Sequence, residues 1–178
     1  MTPETGIILP SFADVARFEG HGMWELFRDG KKIDEGFFDN LITQIGDQYY
    51  GERAAGIASP PAQVTGMQLG TGTTAVAKTG AGAAIVTLVA SSLVAIDGGF
   101  PTSALSGSSR RIQWKTTWAA GVATANSISE VVLTNQSTGT QTAAPASATI
   151  SRALLSPVVN KAAGDTLAIT WNHDALGA

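Results

Sequence analysis

Residues 67–82 read MQLGTGTTAVAKTGAG, and the interpretation of this stretch decides the fold. An apolar run enters closely spaced glycines, with threonines and a lysine behind them, which is the outline of a phosphate-binding loop in an α/β protein. Such a loop needs Gly-x4-Gly-Lys-Ser/Thr, so that backbone N–H groups wrap the phosphates and the lysine reaches them. Lys78 follows an alanine rather than a glycine, and no helical pattern comes after it to offer an N-terminus. A dinucleotide fingerprint also requires a helix to open at the third position. Gly70-Thr71-Gly72 runs on into Thr73, Thr74 and Ala75 with no such helix. The stretch therefore reads as a glycine-permitted turn between strands, and the fold as β rather than α/β.

Working outward, the chain from residue 64 on alternates short strand patterns with turn chemistry. VTGMQLG, AAIVTLV, SLVAI, RRIQWKTTW, SISEVVLTN, ATISRALLSPVV and DTLAITWN are the strand candidates. DGGFPTSALSGSS, QSTGTQTAAPAS and NKAAGD read as the turns between them. RRIQWKTTW alternates most regularly, with Ile112, Trp114, Thr116 and Trp118 on one face. Upstream, Asp29-Gly30 between GMWELFR and KKIDEGFF marks a hairpin over 23–39, because both positions tolerate positive φ. Leu41, Ile42, Ile45 and Tyr49 recur at helical spacing behind Asn40, a suitable N-cap. This predicts one helix over about 40–55, ended by Gly51 or Gly56. Strands at this spacing without intervening helices predict a mainly β protein: an antiparallel β-sandwich with one α-helix near the N-terminus and an extended N-terminal arm. The expected organisation is an arm over 1–22 and a single domain over 23–178.

The totals narrow the partners. The 178 residues are 44% hydrophobic, enough for one domain with a true core. A net charge of −3 gives no bulk attraction to phosphate backbones, so no nucleic acid is expected. Only 14% of residues are charged, against roughly 25% in an average domain. A chain so poor in charge is expected to cover part of its surface with neighbours. There is no cysteine, which excludes disulfides, zinc–thiolate sites and thiol nucleophiles. The N-terminus lacks the pattern of a secretory signal. The uncharged stretch 79–96, TGAGAAIVTLVASSLVAI, is diluted by glycine and serine and rich in β-branched residues, which fits a core strand rather than a membrane span.

No constellation of catalytic residues emerges. His21 and His173 have no second ligand at metal-like spacing, and His173 and Asp174, adjacent on a strand, point to opposite faces. No cofactor and no metal are expected. Glu130 stands alone in an apolar strand. It is either an outward-facing residue or, if buried, one that needs Arg110, Arg111 or Arg152 as partner. Within the arm, Ile7, Ile8, Leu9, Phe12 and Phe18 are more apolar than a solvated tail requires. They read either as a frayed terminus or as a segment laid on a neighbouring subunit. Together with Trp114 and Trp118, they are the candidate interface residues.

The order of motifs supplies a further indication. ELFRDGKKIDEGFFDNLITQIGDQYY carries Asp29, Gly30 and Lys31, then Asn40, Leu41, Ile42, Thr43 and Gly46. Leu69 to Thr74 follow as Leu-Gly-Thr-Gly-Thr-Thr. Lys161, Gly164, Asp165, Leu167, Ile169, Thr170 and Trp171 close the pattern. In this order, over roughly residues 24–172, the chain resembles small structural proteins of tailed bacteriophages: capsid decoration (cement) proteins, head fibres, and fibre or adaptor proteins of the tail. It departs from that pattern at Glu130–Leu133, where relatives have Glu-Ala-Gly-Leu. The resemblance implies a non-enzymatic virion protein, assembled in the host cytoplasm, most simply a decoration protein that binds the major capsid protein or other virion proteins. A homo-oligomer, trimer or dimer, with no membrane partner, is expected. The alternative is a tail-associated fibre or adaptor that binds host glycan through exposed tryptophans. A hydrolase on the same scaffold would need a paired-carboxylate cleft, and no such pair can be located in the sequence.

Overall fold

The computed structural model describes residues 17–176. It is mainly β. Strands β1 (Arg17–Arg28) and β2 (Lys31–Ile42) form the expected hairpin, and Asp29 and Gly30 both take positive φ, 51° and 73°. Helix α1 spans Gln44–Ala54. It is followed by β3 (Gly66–Gly70), β4 (Val94–Ala95), β5 (Thr102–Ser106), β6 (Ser109–Trp118), β7 (Ala125–Thr134), β8 (Thr149–Lys161) and β9 (Asp165–Leu176). All nine strands among the described residues belong to one antiparallel sheet in the order β4-β3-β7-β8-β2-β1-β9-β6-β5.

The sheet curls because β2 changes partner along its length. Its first part pairs with β1 up to His21↔Asp39, and its last three residues pair with β8, Asn40↔Ala153 to Ile42↔Ser151. The curl brings the far ends together. Beyond β4, the amide of Asp97 donates to the Lys115 carbonyl of β6 (2.8 Å), and its carboxylate accepts from the Thr117 amide (3.0 Å) and hydroxyl (2.7 Å). One core fills the interior, with Trp24, Trp118, Trp171, Met67, Leu69, Ile128, Val131, Leu133, Leu167 and Ile169 all fully buried.

Four expectations change. The first six residues of β1, Arg17 to Gly22, fall in the expected arm, yet they pair with β9 from Arg17↔Leu176 onward and belong to the sheet. The helix starts later than Asn40 because β2 continues to pair through Ile42. Thr43 is the cap, its hydroxyl accepting from the Gly46 amide (3.1 Å). Gly51 lies within α1, and Gly56, with φ of 65°, follows its end. The expected turn at 97–109 contains an edge strand, β5, paired with β6.

The fourth concerns the opening stretch and its continuation. AAIVTLV makes one isolated bridge, Gly70↔Leu88, instead of a strand. Of its amides, those of Ile85 and Val89 go to the Ala144 and Leu69 carbonyls, while those of Val86 and Thr87 are claimed by Glu130. The Oε1 of this carboxylate accepts from Gly72 N (2.9 Å), Thr87 N (3.0 Å) and Val86 N (3.1 Å). Its Oε2 accepts from Arg152 Nη2 (2.7 Å) and Nε (3.1 Å). Both side chains are completely buried. Val132 pairs with Arg152, so Glu130 and Arg152 sit diagonally on one face of neighbouring strands, within reach of each other. Arg152 Nη1 also donates to the carbonyls of Thr74 (2.8 Å) and Gly82 (3.3 Å). The glycine-rich stretch thus does meet an anion, through the Gly72 amide together with those of Val86 and Thr87 beyond it, and the anion is the chain's own carboxylate. Glycine is required there: a Cβ on Gly70 or Gly72 would lie 2.3 or 2.5 Å from Glu130 Oε1.

Removing one partner of a buried ion pair leaves the other uncompensated, at a cost of about 3–5 kcal/mol. Arg152→Ala is expected to lose that much stability in urea unfolding. A loss under about 1 kcal/mol, the scale of an exposed pair, would mean that the pair does not hold the loop.

Candidate functional site

An open groove of about 770 Å³ lies where β1 begins. Arg17, Phe18 and His21 come from β1, Asp39 and Asn40 from β2, Asp47, Tyr50 and Ala54 from α1, and Lys78 from the glycine-rich segment. The elements converge for local reasons. Thr43 caps α1 and anchors it, its hydroxyl reaching the Thr149 and Ile150 carbonyls, and Gly46 lets the helix lie against β8, since a Cβ there would meet Ile150 O at 2.2 Å.

The floor is aromatic and the rim is charged. Phe18 stacks on Tyr50 with centroids 4.2 Å apart and planes 16° from parallel. The Tyr50 hydroxyl lies 2.5 Å from His173 Nδ1. On the other side of that ring, Nε2 accepts from Trp171 Nε1 (3.0 Å) and from Asn40 Nδ2 (2.8 Å). With two donors on Nε2, the imidazole carries its proton on Nδ1 and gives it to the tyrosine oxygen. Gly20 permits this relay, because a Cβ there would sit 1.8 Å from Asn40 Oδ1. At the rim, Lys78 holds both oxygens of Asp47 at 2.8 Å and Arg17 holds Glu19 at 2.9 Å.

Burial, with His21 nearby, pushes the pKa of His173 down to about 3, and burial raises that of Tyr50. Both therefore hold their protons fixed near neutrality, where a general acid or base would have to exchange them. What the relay does is tie α1 to β9. Asp174 points to the opposite face, where the guanidinium of Arg111 (2.8 Å to each oxygen) holds its carboxyl below the usual range, so His173 and Asp174 do not cooperate. Among the described residues, no group of three or more His, Asp or Glu side chains is arranged to hold a metal ion. No helix there is long and apolar enough to cross a membrane.

A second, smaller groove of about 340 Å³ adjoins the first and shares His21 and Asp39 with it. Gly22, Phe37, Phe38, Leu154 and Ser156 complete its lining. The two form one trench across the junction of β1, β2 and α1.

Of the candidate interface residues, Phe18 lies in the trench. Ile7, Ile8, Leu9 and Phe12 lie outside the described residues. Trp114 and Trp118 are corrected: they are 2% and 0% exposed and belong to the core, because the curled sheet folds a second layer of strands over their face. Trp118 Nε1 donates to the Ser92 carbonyl (2.7 Å), and Trp114 meets His173 edge-on at 5.1 Å. All four tryptophans are described and buried, so a glycan site built on exposed tryptophans has no residues to use. Outward-facing apolar side chains appear where the sequence reading did not single them out, at Phe37 (71% exposed), Leu105 (77%), Ile33 and Val158. The alternation EGFFD would have located Phe37 once the inward residue, Phe38, was known.

Comparison with protein-family models, curated proteins and solved structures finds no match to this chain.

The buried histidine makes stability depend on pH. Its folded pKa of about 3 lies below the ordinary 6.5. Between those values the unfolded chain binds the extra proton, so stability falls as pH falls, by up to about 1.4 kcal/mol per unit. The depressed carboxyls of Asp165 and Asp174 add their own loss only below their ordinary value of 3.8. Urea unfolding at pH 6.5 and pH 5 is expected to differ by about 2 kcal/mol, with most of the difference gone in His173→Gln. The same slope in both proteins would show that His173 is not its source.

Proposed function

We propose that this chain is a non-enzymatic structural protein of a tailed-bacteriophage virion, a decoration protein that binds the major capsid protein in many copies and works as a homo-oligomer, trimer or dimer. The observation that carries this reading is the outer surface: a chain with only 14% charged residues presents Phe37 and Leu105 more than two-thirds exposed. Isolated monomers have little reason to hold such side chains in water, whereas burying each against a partner contributes about 1.5–3 kcal/mol. The order of motifs shared with phage structural proteins supports the same role. In this reading the curled sheet serves as a sandwich-like scaffold, rigid enough to present those residues in a fixed pattern. The segment ahead of β1 adds apolar contact, and contacts repeated over a shell gain in avidity.

Purified phage shells mixed with the protein provide the test. Saturable binding at hundreds of copies per shell is expected, and removal of residues 1–16, which leaves every described strand intact, is expected to weaken occupancy while the far-ultraviolet circular dichroism stays the same. Binding at a handful of copies would move the protein to the tail. No binding, or occupancy indifferent to residues 1–16, would count against the decoration role.

A further inference from the structure

We propose that the trench at the root of β1 is the receptor for residues 7–12 of a second copy of this chain, so that neighbouring copies are linked by exchanged N-terminal segments. The proposal rests on the reading of the chain as an assembling protein and names the contact that joins one copy to the next.

Three observations converge on it. The trench is apolar toward both ends, Phe18 over Tyr50 at one and Phe37 and Phe38 beside Leu154 at the other, with His21 and Asp39 where the two grooves meet. It also borders free strand edges. Among the described residues, β2 pairs with β8 over Asn40–Ile42 alone, which leaves Ile33–Asp39 with β1 as sole partner and β8 beyond Ala153 with β7 as sole partner. Unpaired edges flanked by exposed apolar side chains, here Ile33, Phe37 and Val158, suit an added extended segment, whose main chain supplies hydrogen bonds and whose alternate side chains fill pockets.

The occupant follows from the rest of the chain. Sixteen residues precede Arg17, which is itself on the trench rim. They contain the uncharged run Ile7-Ile8-Leu9-Pro10-Ser11-Phe12, with β-branched residues that favour an extended backbone. Ile7 is ten residues from Arg17, a reach of at most about 33–36 Å. To enter its own trench the segment would have to reverse between Phe12 and Arg17, where Asp14 is the single turn-favouring residue of Phe12-Ala13-Asp14-Val15-Ala16. The trench of a neighbour needs no reversal.

The absence of cysteine gives a clean test, because introduced thiols are the only ones present. Gly51 lines the trench with nothing within 4 Å of an added Cβ, so Gly51→Cys is tolerated. Full-length Leu9→Cys is mixed with full-length Gly51→Cys under mild oxidation, without any phage particle. The control partner is Gly164→Cys, exposed in the turn before β9 at the far end of β1 from Arg17, with nothing within 4 Å of an added Cβ. A covalent dimer forming at least about tenfold faster with Gly51→Cys than with the control is the expected result. A monomeric cross-link within the doubly substituted chain, with no dimer in the mixture, would place the segment in its own trench and overturn the proposal, as would equal rates with both partners. As a second measurement, Ile8→Asp is expected to weaken self-association about tenfold or more in sedimentation, and unchanged association would also overturn it. Because neither experiment contains a shell, failure here leaves the decoration role standing, and failure of shell binding leaves the exchange standing.

Discussion

A buried carboxylate and guanidinium, Glu130 and Arg152, organise one face of this molecule. Two charges out of water are costly, and their attraction offsets that cost only when every remaining lone pair and proton finds a partner. Here four of the five guanidinium protons and both carboxylate oxygens do: three loop amides meet one carboxylate oxygen, two guanidinium nitrogens meet the other, and the third nitrogen reaches two loop carbonyls. The geometry forces the loop over 71–87 onto the outer face of β7 and β8. That cover lets β7 be buried on both faces, with Val131 and Leu133 turned to the main core and Val132 packed against Ile85 and Ala144. A sheet strand buried on both sides would otherwise need a helix above it. This chain uses a loop held by ionic hydrogen bonds.

What was legible in the sequence was what is decided locally. Asp29-Gly30 turns because of its own φ preferences, and RRIQWKTTW alternates because one face is wet. What was not legible depends on residues far along the chain. The helix start moved from Asn40 to Thr43 because β2 finds Ser151 to Ala153 of β8, more than a hundred positions away. AAIVTLV has the composition of a strand, but its central amides, Val86 and Thr87, answer to a carboxylate on another strand. The alternation correctly put Trp114 and Trp118 on one face, and only the curl of the sheet makes that face interior. Among three candidate arginines, Arg152 is chosen by register, whereas Arg111 is taken by Asp174 and Arg110 is exposed. The Tyr50–His173–Asn40 relay joins residues 123 and 133 positions apart and left no local sign.

The functional reading follows from the same economy. The glycine-rich loop is filled from within, and His173, buried behind Tyr50, holds its proton, so the residues that look most chemical in the sequence are engaged in architecture. What remains for partners is the apolar exterior and the trench where β1 begins. In the proposed role, a rigid scaffold presents these surfaces to a shell and to neighbouring copies, and its internal polar groups keep that presentation fixed.

Amide hydrogen exchange at Gly72, Val86 and Thr87 tests the central claim most directly. If the Glu130 carboxylate locks the loop, these three amides open only when the whole domain unfolds, and they exchange as slowly as Val131 and Leu133 in the middle of the sheet. Rapid exchange at the three loop amides while the β7 amides stay protected would contradict the account, because the loop would then be opening on its own.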